Sequence, residues 1–506
     1  MNNILEFLES TAKKMPAHIA IEEGQRSITW ENLQQSSQKF GTAIARMTRP
    51  GQPVAIIAEK SIETFCAMLG TVYAGCFYII IDPAQPVERM KKIFETLSPA
   101  LVLCGENAEN NLETLATFST VKTIKSLNEE KNIDKTLLDN IRQNATSQDL
   151  LYGIFTSGST GTPKCIVVSH EAVGKFIKRF VQTIEISHED KLGNQAPFDF
   201  DISVKDIYTS LFTGATLVLI PKSFFSTPAL LLDYLCDKKV TVLIWAVSAL
   251  TLVSALKGLE YKVPSTVRLV MFSGEVMPPK QLSRWQEALP KTRFYNLYGP
   301  TEITCNCAFH KINKKYSDDE KIPIGIAFEG REIFLLDEKD HIIKTPGVNG
   351  EICVSGESLA IGYYHNPVET QKRFPNGNQF EGITKRYYKT GDIGYYDEEG
   401  ILYFSGRKDF QIKHMGHRIE LEEIESAIYC INGVERCCCL MDEKHYHLVA
   451  FYMGHESHEH IRQMLKQKLP TYMVPHRLIQ VDELPLNKNG KTDRKALQQK
   501  LERIRR

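Results

Sequence analysis

Residues 156–164 read Thr-Ser-Gly-Ser-Thr-Gly-Thr-Pro-Lys, directly after an apolar run at 151–155 with the texture of a strand. Gly158 and Gly161 let the backbone turn tightly and bring its N–H groups close to a polyanion. The hydroxyls of Thr156, Ser157, Ser159, Thr160 and Thr162 add donors, and Lys164 adds a point charge. A Walker loop would end in Gly-Lys-Ser/Thr and open a helix, and this one does neither. Taken alone, such a stretch could also be a flexible surface loop.

Shorter islands of polar and glycine residues follow. They are Asn296-Leu-Tyr-Gly-Pro-Thr-Glu302, Tyr388-Lys-Thr-Gly-Asp392, Gly406-Arg-Lys-Asp-Phe-Gln-Ile-Lys413, Gly416-His-Arg-Ile-Glu420 and Asn489-Gly-Lys491. Each by itself is compatible with an ordinary turn. The elements that must position them alternate in type. Short apolar runs at 215–220, 240–245 and 267–272 have strand length, and helical patterns at 228–237 and 279–288 separate them. Alternating strands and helices imply parallel sheets covered on both faces. Past about residue 350 short strands alternate with turns instead. The tail from 410 onward carries helices at 420–430 and 458–469 with strands at 435–441 and 447–452, enough for a small α+β domain. The expected boundary is the polar turn at 406–409. We therefore expect a large domain over 1–408 and a small one over 409–506.

Composition narrows the classes. Lys plus Arg and Asp plus Glu number 61 each in 506 residues, so no overall field draws nucleic acid or an anionic membrane. No segment has the length of apolar sequence that a membrane span needs, and the acidic start is unlike a signal peptide. Twelve cysteines are scattered apart from Cys305/Cys307 and Cys437-Cys438-Cys439. The latter run reads as reduced residues in a buried strand rather than zinc ligands at turn spacing. A cytoplasmic location is expected.

The ordered set of islands resembles the adenylate-forming superfamily of acyl-CoA synthetases, luciferases and nonribosomal-peptide adenylation domains. The resemblance runs from Ile28-Thr-Trp-Glu-Asn-Leu33 to Asn489-Gly-Lys-Thr-Asp-Arg-Lys495, nearly the whole chain. Within it, Asn194-Gln-Ala-Pro-Phe-Asp-Phe-Asp-Ile-Ser-Val204 looks most like stand-alone D-alanine–carrier protein ligases, and amino-acid adenylation domains share its core. The fold implied is a large N-terminal domain of parallel sheets covered by helices with a distorted β-barrel, plus a small mobile α+β C-terminal domain hinged at Asp409.

The resemblance also implies roles. The 156–164 loop would hold the β- and γ-phosphates of ATP, Glu302 would bind Mg2+, and Thr301 would touch the α-phosphate. Asn296 and Tyr298 would flank adenine, Asp392 would accept the ribose hydroxyls, and Arg407 would support it. Lys491 would be the catalytic lysine, bridging the substrate carboxylate and the α-phosphate. Asp201 would pair with the α-ammonium of an amino acid. Asp199, expected on the same strand face, is its rival. The side-chain pocket would comprise Ile202, Lys205, Trp245, Met271, Ser273, Leu297, Cys305 and Asn306.

Lys205 departs from the D-alanine ligases, which carry an apolar residue there. Either it points to solvent or to Asp206, or the substrate side chain is acidic or otherwise polar. The implied activity is formation of aminoacyl-AMP from ATP and an amino acid. Transfer to the phosphopantetheine thiol of a carrier protein would follow. That carrier is expected to be a separate protein, because the chain stops soon after Lys491. The alternatives are a nonribosomal-peptide adenylation enzyme for another amino acid, an acyl-CoA synthetase, and a silent scaffold that only binds nucleotide.

Overall fold

The computed structural model describes residues 3–111, 115–158, 162–377, 383, 385–442, 444–486 and 492–504. The chain forms two compact units. One comprises residues 1–83, 98–154 and 165–408, and the other 84–97, 155–164 and 409–506.

The larger unit is built from strands too apolar to leave either face in water. Pro53–Ile57, Phe77–Ile81, Val242–Ala246 and Leu269–Ser273 are buried at every residue. Strands buried on both faces need parallel neighbours joined by covering helices. A nine-stranded sheet has its central strands parallel, in the order Arg293–Tyr298, Leu269–Ser273, Val242–Ala246, Lys191–Asn194, Thr216–Leu219, Ile19–Glu23, with antiparallel strands at both edges. A seven-stranded sheet joins Phe77–Ile81, Pro53–Ile57, Leu101–Cys104 and Thr120–Thr123 in parallel register. One continuous apolar core takes residues from both sheets. The helices between strands begin where the sequence says they should: Pro228–Asp237 and Pro279–Ala288 both open on proline, whose missing N–H costs nothing there. A third, five-stranded antiparallel sheet of the larger unit is built around Gly350–Gly356 and Tyr387–Tyr396.

In the second unit, Gln411–His414 and His417–Glu420 form a hairpin turned by Met415 and Gly416, whose φ values of 51° and 82° suit a two-residue turn with left-handed backbone. A three-stranded sheet follows, with Val434–Asp442 antiparallel to His447–Gly454 and that strand parallel to Arg477–Gln480. The triple cysteine sits in its first strand. Cys437 and Cys439 face the layer of Ile424, Ile461 and Leu465, whereas Cys438 faces Leu497 and Leu501. Among the described residues no helix is long and apolar enough to cross a membrane.

The core fixes one titration. His170 is buried, and its Nδ1 accepts the Ile4 N–H at 3.2 Å. Burial pushes its pKa from the ordinary 6.5 down to about 4. A histidine depressed in the fold contributes stability that is complete above its unfolded pKa and is lost as pH falls through the folded one. The expected result is that wild type loses about 3 kcal/mol more stability between pH 7 and 4 than His170→Gln does. Denaturant unfolding at both pH values measures it, and equal losses would refute it.

Candidate active site

In the nine-stranded sheet Lys191–Asn194 lies between Thr216–Leu219, the next strand in sequence, and Val242–Ala246, the one after. The chain therefore leaves this strand to one side and returns on the other. Crevices at the carboxyl ends of strands beside such a reversal are where open α/β sheets bind ligands. The carboxyl ends here carry the 195–201 turn, Ser273, and the Tyr298-Gly-Pro-Thr-Glu302 turn.

Asp201 stands at the start of helix Ile202–Thr213. This corrects the expectation of a strand: the strand stops at Asn194, and Asp199 and Asp201 lie in and after a turn rather than on one strand face. The Thr301 hydroxyl donates to Asp201 Oδ2 at 2.8 Å, and the Cys305 thiol donates to the Asp201 carbonyl at 2.9 Å. The two polar turns are thereby tied together. Gly299 permits the second one, since a Cβ there would lie 2.6 Å from both Asn306 Cα and the Cys305 carbonyl oxygen. Thr304 and Cys305 both hold left-handed φ, 57° and 71°, a costly pair for residues with a Cβ. Burial, with Asp82 nearby, pushes the Asp199 carboxyl up to about 7.

One helical turn beyond Asp201, Lys205 points inward. It is 1% exposed, and its ammonium donates to Asn306 Oδ1 at 2.6 Å and Ser273 Oγ at 3.4 Å. Three expected pocket residues from distant parts of the chain thus meet. Burial pushes the Lys205 pKa down. Met271, Leu297 and Cys305 share the adjoining apolar core, and Ile202 packs with Ala196 and Ala246.

Trp245 is the exception. It pairs in register with Phe272 on the sheet face opposite Met271, its indole N–H donates to the Gly193 carbonyl at 2.7 Å, and its ring packs 5.2 Å from Phe225. Ile244, one residue earlier, pairs with Met271 and lies on the Lys205 side. Alternation along a strand makes a one-residue slip change faces.

A second polar group draws on three strands. Asp392 accepts the Tyr298 hydroxyl on Oδ2 at 2.6 Å and Arg407 Nη1 on Oδ1 at 2.5 Å. Asp392 and Arg407 are directly opposed cross-strand partners. Burial, then the Asp392 charge, pushes the Tyr298 phenol well above its ordinary value. Asn296 donates its amide to the Pro323 carbonyl at 2.7 Å. Glu302 is fully buried, and its Oε1 accepts the Tyr363 hydroxyl at 2.8 Å.

A sequence model of AMP-binding enzymes matches residues 8–364, and that of the AMP-binding enzyme C-terminal domain matches 423–491. The chain belongs to the AMP-binding enzyme family. This AMP-binding enzyme is 30% identical over 509 residues to the D-alanine--D-alanyl carrier protein ligase of Listeria innocua, covering 98% of each chain. It is 31% identical over 500 residues to surfactin synthase subunit 1 of Bacillus subtilis, covering 98% of this chain but only 14% of that protein's length. Among solved structures it resembles holo-PA1221, an NRPS protein containing adenylation and PCP domains, with a TM-score of 0.85 and 25% identity over 99% of this chain and 84% of that one.

The glycine-rich loop of this AMP-binding enzyme is described at Thr156, Ser157, Gly158, Thr162 and Lys164; Ser159, Thr160 and Gly161 lie outside the described residues, as does Lys491. A Cβ at Gly158 would meet the Thr162 carbonyl oxygen at 2.1 Å, so the loop closes on itself only with glycine there. The donor chemistry at Glu302 fits magnesium: a hard carboxylate oxygen, oriented by the Tyr363 hydroxyl. No group of three or more His, Cys, Asp or Glu side chains among the described residues could hold a metal ion. A magnesium ion at Glu302 would therefore draw its remaining ligands from phosphate and water.

Sequence reasoning missed Lys60. Its ammonium donates to the Asn194 carbonyl at 2.9 Å, to Asn194 Oδ1 at 3.1 Å and to the Gln195 carbonyl at 2.9 Å, bracing the turn that leads to Asp201. No local pattern around Lys60 marks it, because its partners are 134 and 135 residues away.

Proposed function

We propose that this adenylate-forming enzyme activates an α-amino acid and transfers it to the phosphopantetheine thiol of a carrier protein. In the first step a substrate carboxylate oxygen bonds to the α-phosphorus of ATP, and the bond from that phosphorus to the bridging oxygen breaks, releasing pyrophosphate. In the second step the thiolate attacks the acyl carbon, the bond to the phosphate oxygen breaks, and AMP leaves.

The observation that carries the reading is Asp201, a carboxylate anchored by Thr301 in the same turn system as Glu302. A half-buried carboxylate held in a fixed orientation suits a ligand ammonium. Asp392, oriented by Tyr298 and Arg407, presents acceptors for ribose hydroxyls. Glu302 would hold a magnesium ion, which would supply charge neutralisation for the phosphates, and Thr301 would touch the α-phosphate. The match to the Listeria innocua carrier protein ligase from end to end supports a carrier as acyl acceptor. Asp409 would be the hinge and Lys491 the catalytic lysine.

The test is ATP–pyrophosphate exchange with all L- and D-amino acids alongside their deamino analogues. Exchange with at least one amino acid and none with its deamino analogue is expected. Exchange with simple carboxylic acids only, or aminoacylation of free coenzyme A in preference to holo-carrier protein, would overturn the proposal.

A further inference from the structure

Lys205 is a buried amine whose two hydrogen-bond partners carry no charge. It makes no ion pair among the described residues; its two partners, Asn306 Oδ1 and Ser273 Oγ, are neutral acceptors. Asp206, the next residue, is turned to another neighbour: its Oδ2 accepts the Asn194 amide at 2.8 Å, and its Oδ1 has no hydrogen-bond partner among the described residues. Burial pushes the Asp206 carboxyl up to about 7 and the Lys205 ammonium down, and the Asp201 and Asp206 charges act on Lys205 without a hydrogen bond to it. A desolvated ammonium facing neutral acceptors is a costly arrangement unless an anion arrives.

The place of Lys205 says where that anion comes from. It lies four residues after Asp201 on one helix, hence on the same face and about 6 Å further along the axis. A dicarboxylic amino acid whose α-ammonium pairs with Asp201 would direct its side-chain carboxylate along this face toward Lys205. A second donor without an acceptor stands in the same neighbourhood. The Tyr152 hydroxyl is buried without a hydrogen-bond partner among the described residues, within electrostatic range of Asp201. Met271 and Leu297 offer an apolar wall for intervening methylenes.

We propose that the amino acid this enzyme activates carries a side-chain carboxylate, bound by Lys205 with Asn306 and Ser273 holding the ammonium in place. The inference rests on the amino-acid reading of Asp201. A methyl side chain, as in D-alanine, would bring the buried ammonium no hydrogen-bonded anion, leaving it Asn306 and Ser273 as direct partners.

The experiment is pyrophosphate exchange by the full chain with both enantiomers of aspartate, glutamate, asparagine, glutamine and alanine. One of the acids is expected to exceed its own amide and alanine in kcat/KM by about tenfold to a hundredfold, the value of a charge-assisted hydrogen bond. Lys205→Met should abolish that preference and raise the relative rate with alanine, with KM for ATP unchanged. If Lys205→Met fails to fold, the acid-to-amide ratio of the wild type alone decides. A neutral amino acid preferred over both acids by the wild type overturns the side-chain assignment and leaves the amino-acid reading standing. Exchange with no amino acid at all overturns both.

Discussion

Replacing Asp201 with asparagine is expected to raise the KM for the amino acid a hundredfold or more, while that for ATP stays within a fewfold. Asparagine keeps the size of the side chain and an oxygen for the Thr301 hydroxyl, which donates to Asp201 at 2.8 Å, so the turn system survives. What disappears is the charge facing the substrate α-ammonium. Breaking one half of a desolvated ion pair costs about 3–5 kcal/mol because the remaining ion stays unsolvated. ATP should not register the change, since Tyr298, Asp392 and Arg407 form their own group on separate strands. Steady-state exchange kinetics with each substrate varied in turn measures the contrast. An amino-acid KM that does not move would remove the principal reason to regard this as an amino-acid enzyme.

The architecture was legible because burial on both faces leaves a strong mark. Runs such as Phe77–Ile81 and Leu269–Ser273 contain only apolar or small residues, and proline or a capping residue announces the helices between them. The same feature hid the face of each side chain. Within Val242–Ala246 every position is buried, so no alternation of polar and apolar residues says whether Ile244 or Trp245 looks toward Lys205. Lys205 was ambiguous for a related reason. Helix Ile202–Thr213 is buried from Ile202 through Leu211, and a helix enclosed all round has no polar face by which to infer that a lysine points out. Asp201 was misread as part of a strand because two aspartates with one residue between them mimic strand alternation, whereas the turn after Asn194 consumes that spacing. The Tyr298–Asp392–Arg407 group spans 94 and 15 residues of sequence, and only pairing of the strands Tyr387–Tyr396 and Leu402–Arg407 brings two of its members face to face.

Lys491→Ala is expected to slow adenylation by about a hundredfold to a thousandfold without weakening ATP binding in the ground state. The charge to be stabilised explains the asymmetry. As the substrate oxygen approaches the α-phosphorus, negative charge builds on oxygens that carry less of it in either bound reactant. A cation placed between them contributes most at that moment, and an interaction made only in the transition state lowers kcat when removed. Removal of one preorganised donor at a developing oxyanion typically costs about 2.7–4 kcal/mol, which sets the range. Lys495 is the matched control: it is an exposed lysine four residues further on, in helix Arg494–Ile504, and its alanine variant should stay within a fewfold of wild type. Single-turnover formation of aminoacyl-AMP, with nucleotide affinity measured separately, separates the chemical step from binding. If Lys491→Ala lost ATP affinity and kept its chemical rate, the lysine would be a nucleotide-binding residue rather than a catalytic one.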